Sequence, residues 1–333
     1  MSVSPSVESL RGAAVDAVVA ASRVCREVQA RLVEGASLQK GDKSPVTVAD
    51  FAAQAIVSHL LAEVAPGVPM VGEEDAAALR EPGNEALRSK VVASVQAVLP
   101  TLSAEGVLAA IDRGTYGGGP NGRHWVLDPI DGTKGFLRLD QYAVALALIE
   151  DGAVVLGVLG CPNLPIDVDD EAAGRGCIFV AIKGGPAVQR GVDDPTEHPI
   201  SVDPVADPAE ARFCESVEKA HTSQSDSAMV AQRLGIQHPP YRIDSQCKYA
   251  AVARGDAAVY LRLPTRPGYV EKTWDHAAGV AVIEAAGGTV TDCRGAPLDF
   301  SIGRTLEKNK GVIVTNGRFH EQVVAAVRAQ MGL

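Results

Sequence analysis

The segment Trp125–Phe136, WVLDPIDGTKGF, places two carboxylates, Asp128 and Asp131, three residues apart and follows them at once with Gly132 and Thr133. The apolar residues before it read as a strand, and Gly132-Thr133 reads as the opening of a helix. Two carboxylates leaving a strand into such a turn can face one point, together with the Ile130 carbonyl. Glycine lets the backbone approach closely, and Pro129 stiffens the bend. Ligation by oxygen alone suits a hard divalent cation such as magnesium. The N–H groups of Gly132 and Thr133 would then point at an anion beside the metal. An Asp N-cap with an Asx turn accounts for most isolated D-x-x-D pairs, so this motif needs support from elsewhere in the chain.

Three further acidic features offer it. Gly72-Glu73-Glu74-Asp75 follows a short predicted strand, where a solvated loop is the plainer alternative. Trp274-Asp275-His276-Ala277-Ala278-Gly279 sits at a predicted helix start, where Asp275 could serve as an N-cap. Asp50, after Val46-Thr47-Val48, has the same ambiguity. Each is weak alone. Four carboxylate-bearing strand-to-helix junctions together are what a centre with two or three magnesium ions requires.

The remaining composition narrows the partners. A net charge of −10 over 333 residues, with no block of like charge, argues against a nucleic-acid polymer, which demands clustered Lys and Arg. A phosphorylated small molecule stays compatible if metal ions reverse the local sign. The six cysteines are scattered without a CxxC, so neither a zinc site nor a disulfide framework follows, and a reducing compartment is expected. MSVSPSVESLRG has no hydrophobic h-region, and the apolar runs 143–149 and 153–159 are too short to span a bilayer. A soluble, unsecreted protein without membrane contact is expected, cytoplasmic or organellar, with a plastid or mitochondrion both open. A monomer is the default.

These residues need elements to position them. Val7, Leu10, Ala14, Val18, Ala21, Cys25, Val28 and Leu32 recur at helical steps, and Lys40–Pro45 breaks that helix. A second helix is predicted after Asp50, with Ile56, Leu60 and Val64 on one face, and another through Leu87, Val91, Val95 and Val98. Tyr142–Ile149 and Ala153–Gly160 read as a hairpin through Asp151-Gly152, apolar at nearly every position and so covered on both faces. Cys177–Ile182 and Ala187–Gln189 suggest a further hairpin. Asp193–Pro208, rich in Asp and Pro, is the expected boundary between an α+β metal-binding lobe (1–200) and an α/β lobe (201–333). Beyond it, strands and helices alternate: strand 213–215, helix 223–234, a short strand near Arg242, helix 245–254, strand 257–263, helix 274–286, strands 288–291 and 311–315, and helix 319–331.

GEED, WVLDPIDGTKGFLR and WDHAAG together resemble the inositol monophosphatase superfamily of lithium-sensitive, magnesium-dependent phosphatases. The likeness is tightest to its 3'(2'),5'-bisphosphate nucleotidases. It runs through KSPVTVADF, GCPNLP, ESVEKAH, DSQCKYAAVARGD, YLRLP and EKTWDHAAG, nearly the whole chain. It implies a layered αβαβα sandwich with the active site between two lobes, two or three magnesium ions, and inhibition by lithium. Glu73, Asp128 and the Ile130 carbonyl would hold one ion, and Asp128, Asp131 and Asp275 a second. Glu73 or Asp50 would contact a third through water. Asp50 and Thr133 would orient and deprotonate the attacking water, and Gly132 and Thr133 would meet the phosphate oxygens.

The same resemblance gives the substrate's other end to Ser245, Lys248 and Arg262, which could converge on a second phosphate, to His221 beside the nucleotide, and to Glu218 supporting it. Asp275 would border the substrate as well. Hydrolysis of adenosine 3',5'-bisphosphate, with 3'-phosphoadenylyl sulfate as a related substrate, is the implied activity and belongs to sulfur metabolism. An inositol polyphosphate 1-phosphatase using the same metals is the alternative, and a non-catalytic nucleotide sensor a distant one. The chain departs from the family pattern at Leu139, at Thr222-Ser223-Gln224, and in the acidic loop Asp167–Glu171.

Overall fold

The computed structural model describes residues 5–34, 44–217, 223–266 and 268–333, and the structural statements concern these. Helix α1 (Val7–Glu34) buries Leu10, Ala14, Val18, Ala21, Cys25 and Val28, the face set by their spacing. Helix α2 (Ser44–Val64) begins earlier than its sequence suggests, so Asp50 lies more than a turn inside a helix rather than ahead of one. Pro45 fits a first helical turn, where its missing N–H costs nothing. The β-branched residues after it stay helical because α2 is buried on most sides, and packing overrides propensity. Of its expected apolar face, Ile56 is buried, Leu60 half-buried and Val64 exposed.

Strand β1 (Met70–Gly72) is followed by α3 (Ala77–Arg80), α4 (Glu85–Val98) and α5 (Ala104–Asp112). The sequence pattern does not announce α5, which is short and contains Gly106. It is secured locally by the Ser103 side chain, which caps the Gly106 N–H. Then come β2 (Arg123–Asp131), α6 (Thr133–Leu137), β3 (Ala143–Glu150), β4 (Ala153–Pro165), β5 (Arg175–Ile182), β6 (Val188–Gly191) and β7 (His198–Pro199). These strands form a seven-stranded sheet in sequence order, with β1 parallel to β2 and every later pair antiparallel.

The remaining chain supplies β8 (Phe213–Glu215), α7 (Gln224–Arg233), β9 (Tyr241–Arg242), α8 (Cys247–Arg254), β10 (Val259–Arg262), α9 (Ala277–Ala285), β11 (Thr289–Thr291), β12 (Val312–Thr315) and α10 (His320–Met331). Its five-stranded sheet runs β11-β12-β10-β8-β9.

The layering follows from the alternation of side chains along strands. On β3, Val144, Leu146 and Leu148 pack toward α1 and α2, whereas Ala143, Ala145, Ala147 and Ile149 face α8 and α9. On β12, Val312 and Val314 join that central layer, whereas Ile313 packs with Phe319, Val323 and Val327 at α10. The order is helix, sheet, helix, sheet, helix: the expected αβαβα sandwich. Small residues on the first sheet bring α9 close. A Cβ on Gly157 would stand 2.7 Å from the Ala278 carbonyl oxygen and 2.7 Å from Ala281 Cβ. The six cysteines are free and buried, and among the described residues no helix is long and apolar enough to cross a membrane.

Because α9 follows Asp275 directly, its seat on the sheet fixes where that carboxylate arrives. Gly157→Val is therefore expected to lower unfolding stability by about 1–3 kcal/mol through overpacking. Chemical denaturation reads this, and an unchanged midpoint would contradict the close approach.

Candidate active site

Strand register brings the first carboxylates together. In the parallel pair β1–β2, Gly72 lies opposite Leu127, so Glu73 and Asp128 are the next residues past matched positions. The two carboxylates act on each other: after burial, Glu73 is the largest influence raising the Asp128 pKa. A strand alternates its faces, so Asp128 and Asp131, three apart, should point in opposite directions. They do not, because the β2–β3 register slips by a residue between them: Asp128 pairs with Ala145 and Asp131 with Ala143. This bulge absorbs one residue at Pro129-Ile130 and returns Asp131 to the side of Asp128.

Gly132 then turns the chain with φ 95°, a left-handed conformation, and α6 begins at Thr133. A Cβ on Gly132 would also meet Ser245 Cβ at 2.8 Å, so glycine is required twice over. Thr133 is exposed at the first position of α6, which packs against α2, the helix carrying Asp50. Asp275 lies in the turn before α9, which starts at Ala277 rather than at Trp274.

The electrostatics are those of crowded anions. Burial raises the Asp50 pKa well above the usual carboxylate range, with Glu74 and Glu73 adding repulsion. Asp128, 2% exposed, is raised strongly by burial and then by Glu73, Asp131 and Asp275. Glu73 opens to solvent, but the surrounding protein displaces enough water that burial, followed by Asp275 and Glu74, raises it to about 7. Asp131 rises to about 6, through burial and Asp275, with Lys248 and Arg262 pulling the other way. Asp128 Oδ1 is buried without a hydrogen-bond partner among the described residues. An orphaned carboxylate oxygen amid mutually repelling carboxylates, with only oxygen donors around it, fits a hard divalent cation.

Several supports went unread in the sequence. Gln54, one helical turn after Asp50, holds the acidic loop: its Nε2 donates to the Glu74 and Ile111 carbonyls at 2.6 and 2.8 Å, and its Oε1 accepts from the Glu74 N–H at 3.1 Å. The spacing of four from Asp50 is the one signal that could have revealed it. Arg304 donates to the Gly72 carbonyl at 2.6 Å and to that of Gly114 at 3.0 Å, and its guanidinium lies 4.9 Å from the Trp274 ring centroid. Gln246 ties the two ends of the site together. Its N–H donates to Asp131 Oδ2 at 2.6 Å, its Nε2 to the Trp274 carbonyl at 2.9 Å, and its Oε1 accepts from Gly279 at 3.1 Å.

A cation-lined pocket adjoins the carboxylates, formed by Ser216, Ser245, Gln246, Lys248, Tyr260 and Arg262 with Asp131 and Asp275. The expected trio of Ser245, Lys248 and Arg262 therefore does converge. Ser245 precedes α8, which starts at Cys247, and holds a left-handed φ of 62°. Lys248 is 4% exposed, with its ammonium 5.1 Å from the Tyr260 ring centroid. Burial lowers its pKa and Asp131 opposes that. Arg262 also has carboxylate partners that the sequence did not announce: Glu271 and Asp275 pair with it at 2.8 and 2.9 Å. Burial alone would lower its pKa, but those two carboxylates outweigh it and keep it charged. Glu218 and His221 lie outside the described residues. A separate cleft of about 700 Å³, between the 166–169 loop and the Arg254–Asp256 ion pair, shares no residue with this site.

Fold and site define a class. The chain belongs to the inositol monophosphatase family, whose description matches residues 6–331. It is 46% identical over 332 residues to a 3'(2'),5'-bisphosphate nucleotidase of Oryza sativa, across 95% of this chain and 92% of that protein. It is 47% identical over 337 residues to 3'(2'),5'-bisphosphate nucleotidase 1 of Arabidopsis thaliana, across 95% and 94%. The structure of an inositol monophosphatase from Anabaena superposes with a TM-score of 0.61 at 20% identity, covering 97% of this chain and 96% of that one, a likeness of fold.

The raised carboxylate pKa values set a pH dependence. A carboxyl whose folded pKa exceeds its unfolded value binds its proton more tightly when folded. Metal-free protein therefore loses stability as pH rises from the unfolded pKa near 4 through about 6 for Asp131 and about 7 for Glu73. In chelator, the thermal midpoint is expected to fall between about pH 5 and about pH 7.5, and millimolar magnesium to offset the fall. A profile that rises over this range would contradict the crowding.

Proposed function

We propose that the protein hydrolyses the 3'-phosphate of adenosine 3',5'-bisphosphate, and of 3'-phosphoadenylyl sulfate, with two or three magnesium ions bound among Glu73, Asp128, the Ile130 carbonyl, Asp131 and Asp275. The observation that carries the reading is the single cleft in which Asp131 and Asp275 border Ser245, Lys248 and Arg262. Metal ligands and phosphate-binding cations side by side suit a substrate with two phosphates.

Magnesium held by these oxygens supplies positive charge for the phosphoryl group and lowers the pKa of coordinated water. Asp50 and Thr133, on packed helices, orient the attacking water, and the Asp50 carboxylate takes up its proton. The N–H groups of Gly132 and Thr133 have no partner within α6 and meet the equatorial phosphate oxygens as their charge grows. At the other end, the buried Lys248 supplies a point charge and Arg262, whose Nε and Nη2 are held by Glu271, Asp275 and Tyr269, its Nη1 donors to the 5'-phosphate, with Ser245 beside them. His221 and Glu218 flank the nucleoside in this scheme. Residues 1–200 form the metal-binding lobe, 201–333 the nucleotide-side lobe, and Asp275 crosses between them. Every assigned residue comes from one polypeptide, so the proposed active unit is a monomer.

The inositol polyphosphate alternative is not favoured, since relatives sharing 46% and 47% of their residues over nearly the full chain are named for the nucleotide. Phosphate release from adenosine 3',5'-bisphosphate should require magnesium and be inhibited by lithium. Absence of magnesium-dependent release would refute the proposal. Lys248→Ala should lower kcat/KM for the bisphosphate by about 10- to 100-fold, the value of a charge-assisted hydrogen bond. The same change should cost turnover of inositol 1,4-bisphosphate much less, and equal losses would count against the pocket assignment.

A further inference from the structure

Glu271, Asp275 and His276 bring potential ligand atoms within 4.8 Å of one another, close enough to hold a metal ion. A cation is already there. Arg262 Nε lies 2.8 Å from Glu271 Oε2, and its Nη2 lies 2.9 Å from Asp275 Oδ2 and 3.1 Å from the Tyr269 hydroxyl. A second positive charge would be repelled, so this cluster is an arginine clamp. Partners at Nε and Nη2 fix the guanidinium plane as well as its position.

The clamp continues inward through His276 and Tyr249, neither of which lines the pocket. His276 is fully buried, and its Nε2 lies 3.2 Å from Glu271 Oε2. A carboxylate only accepts, so Nε2 donates to Glu271, and in the neutral ring Nδ1 then accepts from the Tyr249 hydroxyl at 2.7 Å. Tyr249 neighbours Lys248 on α8, and its ring stacks edge-on against Tyr260, with centroids 5.4 Å apart. The Lys248 ammonium sits over that same Tyr260 ring. Both cations of the pocket are thus referred to one buried network, and the gap between Arg262, Lys248 and the metal ligand Asp275 cannot drift.

We propose that Glu271 and His276, backed by Tyr249, are positioning residues that aim Arg262 at the substrate's second phosphate and so set the preference for a bisphosphate over a monophosphate. This rests on the functional reading above. Without Glu271 the guanidinium keeps its charge but loses one of the two carboxylates that fix its plane. Loss of aim harms only substrates that use Arg262.

The test compares adenosine 3',5'-bisphosphate with adenosine 3'-monophosphate, which lacks the second phosphate, on full-length protein with magnesium. In Glu271→Gln the ratio of kcat/KM for the two should fall about 10-fold, carried by a higher KM for the bisphosphate. Tyr249→Phe, which deletes one hydroxyl from the far end of the relay, should lower the ratio in the same direction by about 3-fold. It decides the matter by itself if Glu271→Gln does not fold. A loss of activity that is equal on both substrates in the folded variants would mean a merely structural network and overturn the inference alone. Wild-type protein that fails to prefer the bisphosphate would overturn the functional reading and this inference with it.

Discussion

Carboxylates held close together in a half-dry cleft repel one another, and the arrangement persists only where the surrounding structure leaves them no alternative. Asp50, Glu73, Asp128, Asp131 and Asp275 come from a helix, the bend just after β1, the neighbouring strand β2 and a turn before a helix. Each is fixed by backbone that belongs to the core. Parallel pairing sets Glu73 against Asp128, the bulge turns Asp131 to the same side, and the close seat of α9 delivers Asp275. The hydrogen bonds of Gln54, Gln246 and Arg304 then remove the remaining freedom of the loops. The centre is a local electrostatic cost imposed by a large apolar core, and bound cations relieve it.

Much of this was legible in the sequence, for identifiable reasons. The hairpin through Asp151-Gly152 announced itself because turn chemistry and apolar strands act locally. Asp128 and Asp131 stood out because a strand, two carboxylates and a glycine turn fall within a few residues, and the other acidic junctions lifted them above an ordinary Asx turn. What failed depended on the rest of the fold. The sequence around Asp50 reads as a strand entering a helix, yet α2 starts at Ser44 because burial on most sides outweighs the β-branched residues. Gln54, Gln246 and Arg304 carry no pattern, since their partners are backbone carbonyls and amides brought near by tertiary structure. The bulge at Pro129-Ile130 is likewise invisible until the register with β3 is known.

The cationic side of the cleft shows why residue type alone misleads. Arg262 was expected to meet a phosphate with Ser245 and Lys248, and it is also paired to Glu271 and to Asp275, a proposed metal ligand. One side chain thereby joins the anionic and cationic halves of the site. In the proposed reading, substrate charge at one end and metal charge at the other would be balanced across Asp275, which would favour a bisphosphate in a fold shared with an inositol monophosphatase at 20% identity.

The central claim is that these carboxylates form a metal centre, and crystals soaked in manganese test it most directly through anomalous scattering. At least two ions are predicted in the cleft, one coordinated by Glu73 and Asp128 and one by Asp128, Asp131 and Asp275. Manganese bound elsewhere, at the acidic 167–170 loop for example, with none at Asp128, would contradict the account.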